Sequence, residues 1–414
     1  MIFCRKGVKS TDLPIVVLVL LAPIALLVLG ACRGDRHRAP EVVASALDVG
    51  ASSSGAPEPM VYASPVASAE AALSAPAEPH CRAPSLSLSS ELDAYGVKDL
   101  DRCVHLARGA SVCGERAGLS VDVERFRASV PAFDDATTDR IVRVATLGKQ
   151  RGLNPHAFGL VGDSITISGS FLYAFGSHEP GDISVDPVVA PLLARSDGTS
   201  IIDYYRAHEV ERFAGKPLDS FDAERAAKVG ARASFPTIGG DASPLDSLVT
   251  HVKPAIAVVT FGANDATYRT APPDELADEF EKNLLELISR LEARGVVVVL
   301  ENEMRHGDQP GVKACPSDDE RANDWRTAIT TNAIIRRTDE IACREHLPFV
   351  DLRYALDGAT AYGLGPDAVH LSTKKRSPAH LDAKALDCGY SIRGLVTLMA
   401  LRDVVDALER RGVF

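Results

Sequence analysis

Three short segments hold the residue types that acyl transfer requires. Gly162-Asp163-Ser164 offers a hydroxyl, and Gly262-Ala263-Asn264-Asp265 a side-chain amide. Asp367-Ala368-Val369-His370 offers an imidazole with a carboxylate three residues ahead of it. A serine hydroxyl is a poor nucleophile until a base takes its proton, and histidine is the side chain that titrates near neutrality. His370 in turn needs an acceptor at its far nitrogen, to hold the ring and stabilise the imidazolium, and Asp367 can supply it. Attack on an ester carbonyl creates an oxyanion that needs donors already in position. The Ser164 backbone N–H and the Asn264 amide are candidates, and a glycine N–H from another loop would be a third. Each segment alone is commonplace in turns. The information lies in all three occurring in this order, each after an apolar run or near the end of the chain.

Those apolar runs define the elements that must position the site. Phe158–Val161 reads as a short strand, and Ala255–Phe261 and Val296–Leu300 as strands buried on both faces. Leu347–Leu352 reads as a further strand. Helices are predicted near Thr137–Gly152, over Asp274–Arg294, from Asp318 to about His346 and over Ser391–Arg411. In the second of these, Leu276, Phe280, Leu284, Leu287, Ile288 and Leu291 form one stripe, with Pro272 and Pro273 at its start and Gly295 at its end. Strands alternating with helices predict an α/β fold, a parallel sheet with helices on both faces. In such sheets the site forms at the carboxyl ends of the strands, where the three segments fall.

With its blocks in this order, the chain resembles the SGNH (GDSL) hydrolases, over about residues 150–410. Gly162-Asp163-Ser164 matches the first block of that family, Gly262-Ala263-Asn264-Asp265 the third, and Asp367-Ala368-Val369-His370 the fifth. The resemblance implies a flavodoxin-like three-layer α/β/α sandwich. It also implies a Ser164-His370-Asp367 triad that hydrolyses esters with no metal or organic cofactor. The second block departs from the family pattern. In Phe235-Pro236-Thr237-Ile238-Gly239-Gly240-Asp241, Gly240 fits best as the oxyanion glycine and Gly239 is the reserve. Asp265 is expected to brace the Asn264 loop. An O-acyltransferase of the same fold and a non-catalytic glycan-binding lipoprotein are the alternative readings.

Other chemistries find less support. Ser372-Thr373-Lys374-Lys375 matches a Ser-x-x-Lys pattern without its companion motifs, and no Gly-x-Ser-x-Gly surrounds Ser164. His208-Glu209 lacks the second histidine of a zincin helix. His156, His178, His251 and His306 read as isolated. No Cys-x-x-Cys or His-x-x-x-His spacing points to a metal.

Lys and Arg number 45 against 56 Asp and Glu, a formal charge of −11. That balance argues against a nucleic-acid partner, which would need a basic face. Arg5, Lys6 and Lys9 precede an apolar run, Ile15–Leu29, which ends in Leu29-Gly30-Ala31-Cys32. A basic start, an apolar stretch and small residues before a cut describe a secretory signal. The ending resembles a bacterial lipobox, with Cys32 as the lipidated residue, although the run is also long enough for a transmembrane anchor. Residues 1–32 are thus expected to direct export to a lipid anchor on a bacterial membrane, at the periplasmic face or the cell surface. Between Pro40 and His80, 26 of 41 residues are Ala, Ser, Pro or Gly, a composition that cannot bury enough to fold, so 33–91 reads as a tether. Residues 92–150 read as a small helical, cysteine-containing extension, and 151–414 as the hydrolase domain. Six cysteines remain after Cys4 and Cys32: Cys81, Cys103, Cys113, Cys315, Cys343 and Cys388. Disulfides are expected in an exported chain, with Cys103 and Cys113 close enough for a local staple.

The 76 residues from Ser164 to Gly240 are about twice what a strand–helix–strand unit needs, so an insertion lies beside the site. Its charged residues, interspersed with Tyr204, Tyr205, Phe213 and Phe221, predict a polar substrate, a small-molecule or glycan ester carrying a short acyl group.

Overall fold

The computed structural model describes residues 113–176, 182–267, 271–304, 322–365, 369–373 and 379–414. The signal and lipobox Cys32, the tether, the start of the helical extension and Asp367 lie outside the described residues. So do Cys81, Cys103, Cys315, His178 and His306. The chain divides after Leu73, and every described residue belongs to the C-terminal unit, Ser74–Phe414.

Five strands form one parallel sheet: β1 (Asn154–Gly162), β2 (Ala226–Ala227), β3 (Pro254–Thr260), β4 (Val297–Glu301) and β5 (Phe349–Val350), in the order β2-β1-β3-β4-β5. This is the flavodoxin-like order, whose chain reverses direction across the sheet between β1 and β3. The register pairs Phe158 with Ile256 and Val258 with Val299. β3 and β4 are buried along their whole length, and their runs of Ala, Val, Ile and Leu, closed by the buried Thr260 and Glu301, are those of strands covered on both faces.

Side chains alternate between two cores. Phe158, Leu160, Ile256, Val258, Val297 and Val299 face one side, and Val161, Ala257, Val259, Val298 and Leu300 face the other. The helices are α1 (Val123–Ser129), α2 (Asp135–Gln150), α3 (Ser164–Ile167), α4 (Pro244–His251), α5 (Ala263–Ala266), α6 (Pro273–Ala293), α7 (Ala322–Arg344) and α8 (Gly389–Arg410). Three further short helices, Ala190–Leu193, Ile201–Arg206 and Leu352–Leu356, and several single turns lie between them. Residues of α1, α2 and α8 join the first core, and residues of α4, α6 and α7 the second. The result is a three-layer α/β/α sandwich. All six residues of the predicted α6 stripe are buried, and each such side chain contributes roughly 1.5–3 kcal/mol by leaving water.

Several expectations change. The strand predicted at Phe158–Val161 extends to nine residues. The one predicted over Leu347–Leu352 shrinks to two, because Asp351 leaves the sheet to cap the short helix Leu352–Leu356 through Tyr354 N–H. The insertion contributes the edge strand β2 and an exposed hairpin, Glu211–Phe213 with Lys216–Leu218. Tyr204, Tyr205 and Phe221 are core residues and form no sugar-facing surface. Tyr205 meets Phe158 edge-on at 4.7 Å, and of the four aromatics only Phe213 is exposed. His156 is not isolated: its ring stacks on His208 at 3.6 Å. Cys113 pairs with Cys388 across 275 residues in place of the local staple with Cys103. Cys343 is also disulfide-bonded. Among the described residues, no helix is long and apolar enough to cross a membrane.

Candidate active site

β1 and β3 are neighbours, and each ends in a glycine-dependent turn that starts a four-residue helix. A Cβ on Gly162 would lie 2.2 Å from Thr166 Oγ1 and 2.8 Å from the Thr260 carbonyl oxygen, so the chain can turn there only without a side chain. Gly262 has φ +148°, and a Cβ would press to 2.9 Å on Ile334. Ser164 opens α3 after the first turn, and Asn264 sits in α5 after the second. Both side chains are half-buried at the carboxyl edge of the sheet.

Asp163 ties the two turns together. Its carboxylate is fully buried, caps α3 by accepting Ile165 N–H at 3.1 Å, and accepts Asn264 Nδ2 at 2.9 Å. One amide hydrogen of Asn264 is thereby fixed, which leaves the second to be aimed elsewhere. Burial raises the Asp163 pKa, against the opposing pull of Ile165 N–H, Arg393, Asn264 and His370.

The histidine arrives from the far end of the chain. His370 Nε2 lies 3.1 Å from Ser164 Oγ, the reach expected of a base and its nucleophile. Its segment is held from both sides. Gly365 N–H donates to the His370 carbonyl at 2.7 Å, and Leu364 bridges Leu371. Ser372 Oγ donates to the Gly363 carbonyl and accepts Gly389 N–H at 2.9 Å, which fixes the segment to the first residue of α8. The Cys113–Cys388 disulfide fastens that same helix start to the N-terminal segment.

Asp265 is buried and accepts Ala233 N–H on both carboxylate oxygens, at 3.2 and 3.3 Å, so it ties the Asn264 turn to the loop that follows β2. Burial pushes its pKa up to about 7. Gly239 and Gly240 lie further along, exposed, with φ +104° and +61°, in the turn that leads into α4. Among the described residues, no hydrogen bond links either glycine to Ser164, Asn264 or His370.

Sequence reasoning missed the polar groups beneath the turns. Glu303, fully buried just past β4, accepts Ala263 N–H at 3.3 Å and Met304 N–H at 3.2 Å. Burial, and secondarily the charge of Asp163, pushes its pKa up to about 8. Arg393 is fully buried in α8 and donates to the Ile165 carbonyl at 2.9 Å. The available signals were two glutamates, Glu301 and Glu303, at the end of an apolar strand and an arginine, Arg393, in the apolar first half of the last helix.

One group among the described residues could hold a metal: Glu211, Glu224 and His251, whose ligand atoms lie within 4.8 Å of one another. It sits on the insertion hairpin, the loop before β2 and the end of α4.

The blocks match more than a pattern of spacing. The model of the GDSL-like Lipase/Acylhydrolase family matches residues 160–374, just over half of the 414 residues. The chain belongs to this family. As a GDSL-like protein it is a hydrolase enzyme, and the matched span includes Ser164, Asn264, Asp367 and His370. Similar solved structures include a lipase/acylhydrolase from Enterococcus faecalis, 19% identical, covering 59% of this chain and 95% of that one at a TM-score of 0.33. Axe2, an acetylxylan esterase from Geobacillus stearothermophilus, is 17% identical over 59% of this chain and 93% of that one, with a TM-score of 0.33. A GDSL-like lipase from Bacteroides thetaiotaomicron is 16% identical over 42% of this chain and 73% of that one, at 0.28. A search of curated proteins gives no match.

Proposed function

We propose that this GDSL-like hydrolase is a serine esterase, exported and anchored by a lipid on Cys32, that removes short acyl groups from a polar, carbohydrate-like substrate. The 3.1 Å contact of His370 Nε2 with Ser164 Oγ, at the switch point of the sheet, carries this reading. Ser164 Oγ attacks the ester carbonyl carbon while His370 Nε2 takes its proton, and Asp367 orients the ring. The tetrahedral oxyanion is met by Ser164 N–H and the free Asn264 amide hydrogen, with Gly240 N–H as the candidate third donor. The imidazolium returns its proton to the departing alcohol. Water, deprotonated in turn by His370, then cleaves the acyl-enzyme and frees the acid.

The substrate class rests on the rim. Ile167 and Val369, 42% and 39% exposed, flank the Ser164 and His370 positions in sequence and offer apolar surface for a short chain. Tyr173, 53% exposed, has the Arg225 guanidinium 6.0 Å from its ring centre, and Arg225 donates to the Thr166 carbonyl at 2.9 Å. An exposed ring beside a cation suits a polar acylated partner. The test is a nitrophenyl ester series from acetate to palmitate, followed by acetylated oligosaccharides with and without an acceptor sugar. Acetate should be preferred, with free acid as product. A preference for chains beyond about eight carbons would overturn the substrate class, because it would demand a long apolar tunnel. Cys32→Ala should move the protein out of the membrane fraction.

A further inference from the structure

The four-residue helix that carries Ser164 is too short to hold its own geometry, since a single helical turn fixes more dihedrals than its hydrogen bonds compensate. Its carbonyls are held by guanidinium groups from elsewhere. Arg393 Nη1 donates to the Ile165 carbonyl at 2.9 Å, and Arg225 Nη1 to the Thr166 carbonyl at 2.9 Å. Arg393 has no exposed surface, and its Nη2 also donates to Thr166 Oγ1 at 3.1 Å and Thr260 Oγ1 at 2.9 Å. Its plane lies over Phe171, with Cζ 3.7 Å from the ring centre. The counter-charge is Glu301, also fully buried, which meets Arg393 Nε at 2.9 Å and Nη2 at 2.8 Å. Glu301 is held by Thr260 Oγ1 at 2.6 Å and by Thr397 Oγ1. The pair therefore touches the ends of β3 and β4, the closing helix α8 and the nucleophile turn at once.

We propose that Arg393, held by Glu301, is a positioning residue for the nucleophile: it fixes the Ile165–Thr166 turn to the central strands and so sets where Ser164 Oγ stands relative to His370 and Asn264. This rests on the reading of Ser164 as nucleophile. A buried ion pair is a poor source of net stability, because desolvation offsets its attraction. A planar, multidentate guanidinium is instead well suited to fixing several acceptors in one geometry. Misplacing a nucleophile by about 1 Å costs about a hundredfold in rate.

The test compares Arg393→Met/Glu301→Gln, which removes both charges together, with Arg393→Lys, Thr166→Val and Ser164→Ala in the full chain. Arg195→Met is the structural control. Arg195 is a second buried arginine, but it binds Asp197, Thr199 and Glu409 at the opposite end of α8. Each variant is checked for folding by near-ultraviolet circular dichroism, and then kcat, KM and the rate of labelling by a fluorophosphonate are measured. The double variant should lose about a hundredfold in kcat and in labelling rate, with KM within about threefold. Arg393→Lys, which can still pair with Glu301, should recover part of that loss, and Thr166→Val should lose about tenfold. Arg195→Met should lower Tm and leave kcat within about twofold. Should the double variant not fold, Arg393→Lys and Thr166→Val decide the question. Folded variants at Arg393 or Thr166 with wild-type kcat, or a rise confined to KM, would overturn the positioning role. So would an equal loss in Arg195→Met. Activity surviving in Ser164→Ala would instead overturn the nucleophile assignment on which the proposal stands.

Discussion

Replacing Glu303 by glutamine should remove a pH dependence from the stability of this protein. The Glu303 carboxyl is fully buried under the Asn264 turn, and burial pushes its pKa from 4.5 up to about 8. Between those values the unfolded chain has lost the proton and the folded chain keeps it, so stability is highest below about pH 4.5 and falls as pH rises toward about 8. Each pH unit in that window costs about 1.36 kcal/mol, which gives an upper bound of about 5 kcal/mol over the whole window. Between pH 5 and pH 7 the loss is about 2.5 kcal/mol, or about 5–10 °C in Tm for a folded part of this size. Glutamine is neutral throughout and cannot contribute this slope. It also turns an NH2 toward one of the two N–H groups that Glu303 accepts, a constant cost of about 1–3 kcal/mol. Asp163, raised in the same direction by burial, adds a slope of its own, and because its charge helps to raise Glu303 the two carboxyls titrate as an interacting pair. The assay is Tm of wild type minus Tm of Glu303→Gln at pH 5, 6, 7 and 8 and fixed ionic strength. The difference should shrink steadily with pH. A difference that is flat, or that grows, would refute the buried, protonated carboxyl.

Two other outcomes follow from the same site. Asn264→Ala should lower kcat by about 10²–10³ in ester hydrolysis, the scale of losing one oxyanion donor; a rise in KM alone would make Asn264 a substrate-binding residue. Cys388→Ser should lower stability by about 2–5 kcal/mol, because the lost cross-link closes a loop of 275 residues. Denaturant unfolding of that variant should show the loss, and an unchanged midpoint would contradict it.

Residues whose pattern is local were legible in the sequence. The α6 stripe, the β3 and β4 runs and the Ser164, Asn264 and His370 segments follow from hydrophobic period and from turn chemistry within a few residues. What was hidden depends on distant partners. β2 is two alanines inside a polar insertion, and only its pairing with Val161 and Gly162 makes it a strand. Cys113 finds Cys388, and Arg393 finds Glu301, across separations that no window spans. Tyr204, Tyr205 and Phe221 were misleading because charged neighbours surround them in sequence, while in space they pack into the core that includes Phe158 and α8. No local signal marks the proposed oxyanion glycine. The connection from β2 to α4 holds Gly230, Gly239 and Gly240, all at positive φ, and glycine type alone does not separate a donor from a turn.

The central claim is that Ser164, activated by His370, is the nucleophile. The measurement that tests it most directly is peptide mass spectrometry after reaction with a fluorophosphonate. The adduct should fall on the peptide containing Ser164, vanish in Ser164→Ala and drop by several orders of magnitude in rate in His370→Ala, in step with esterase activity. An adduct on another residue, or Ser164→Ala that is folded and fully active, would contradict the account.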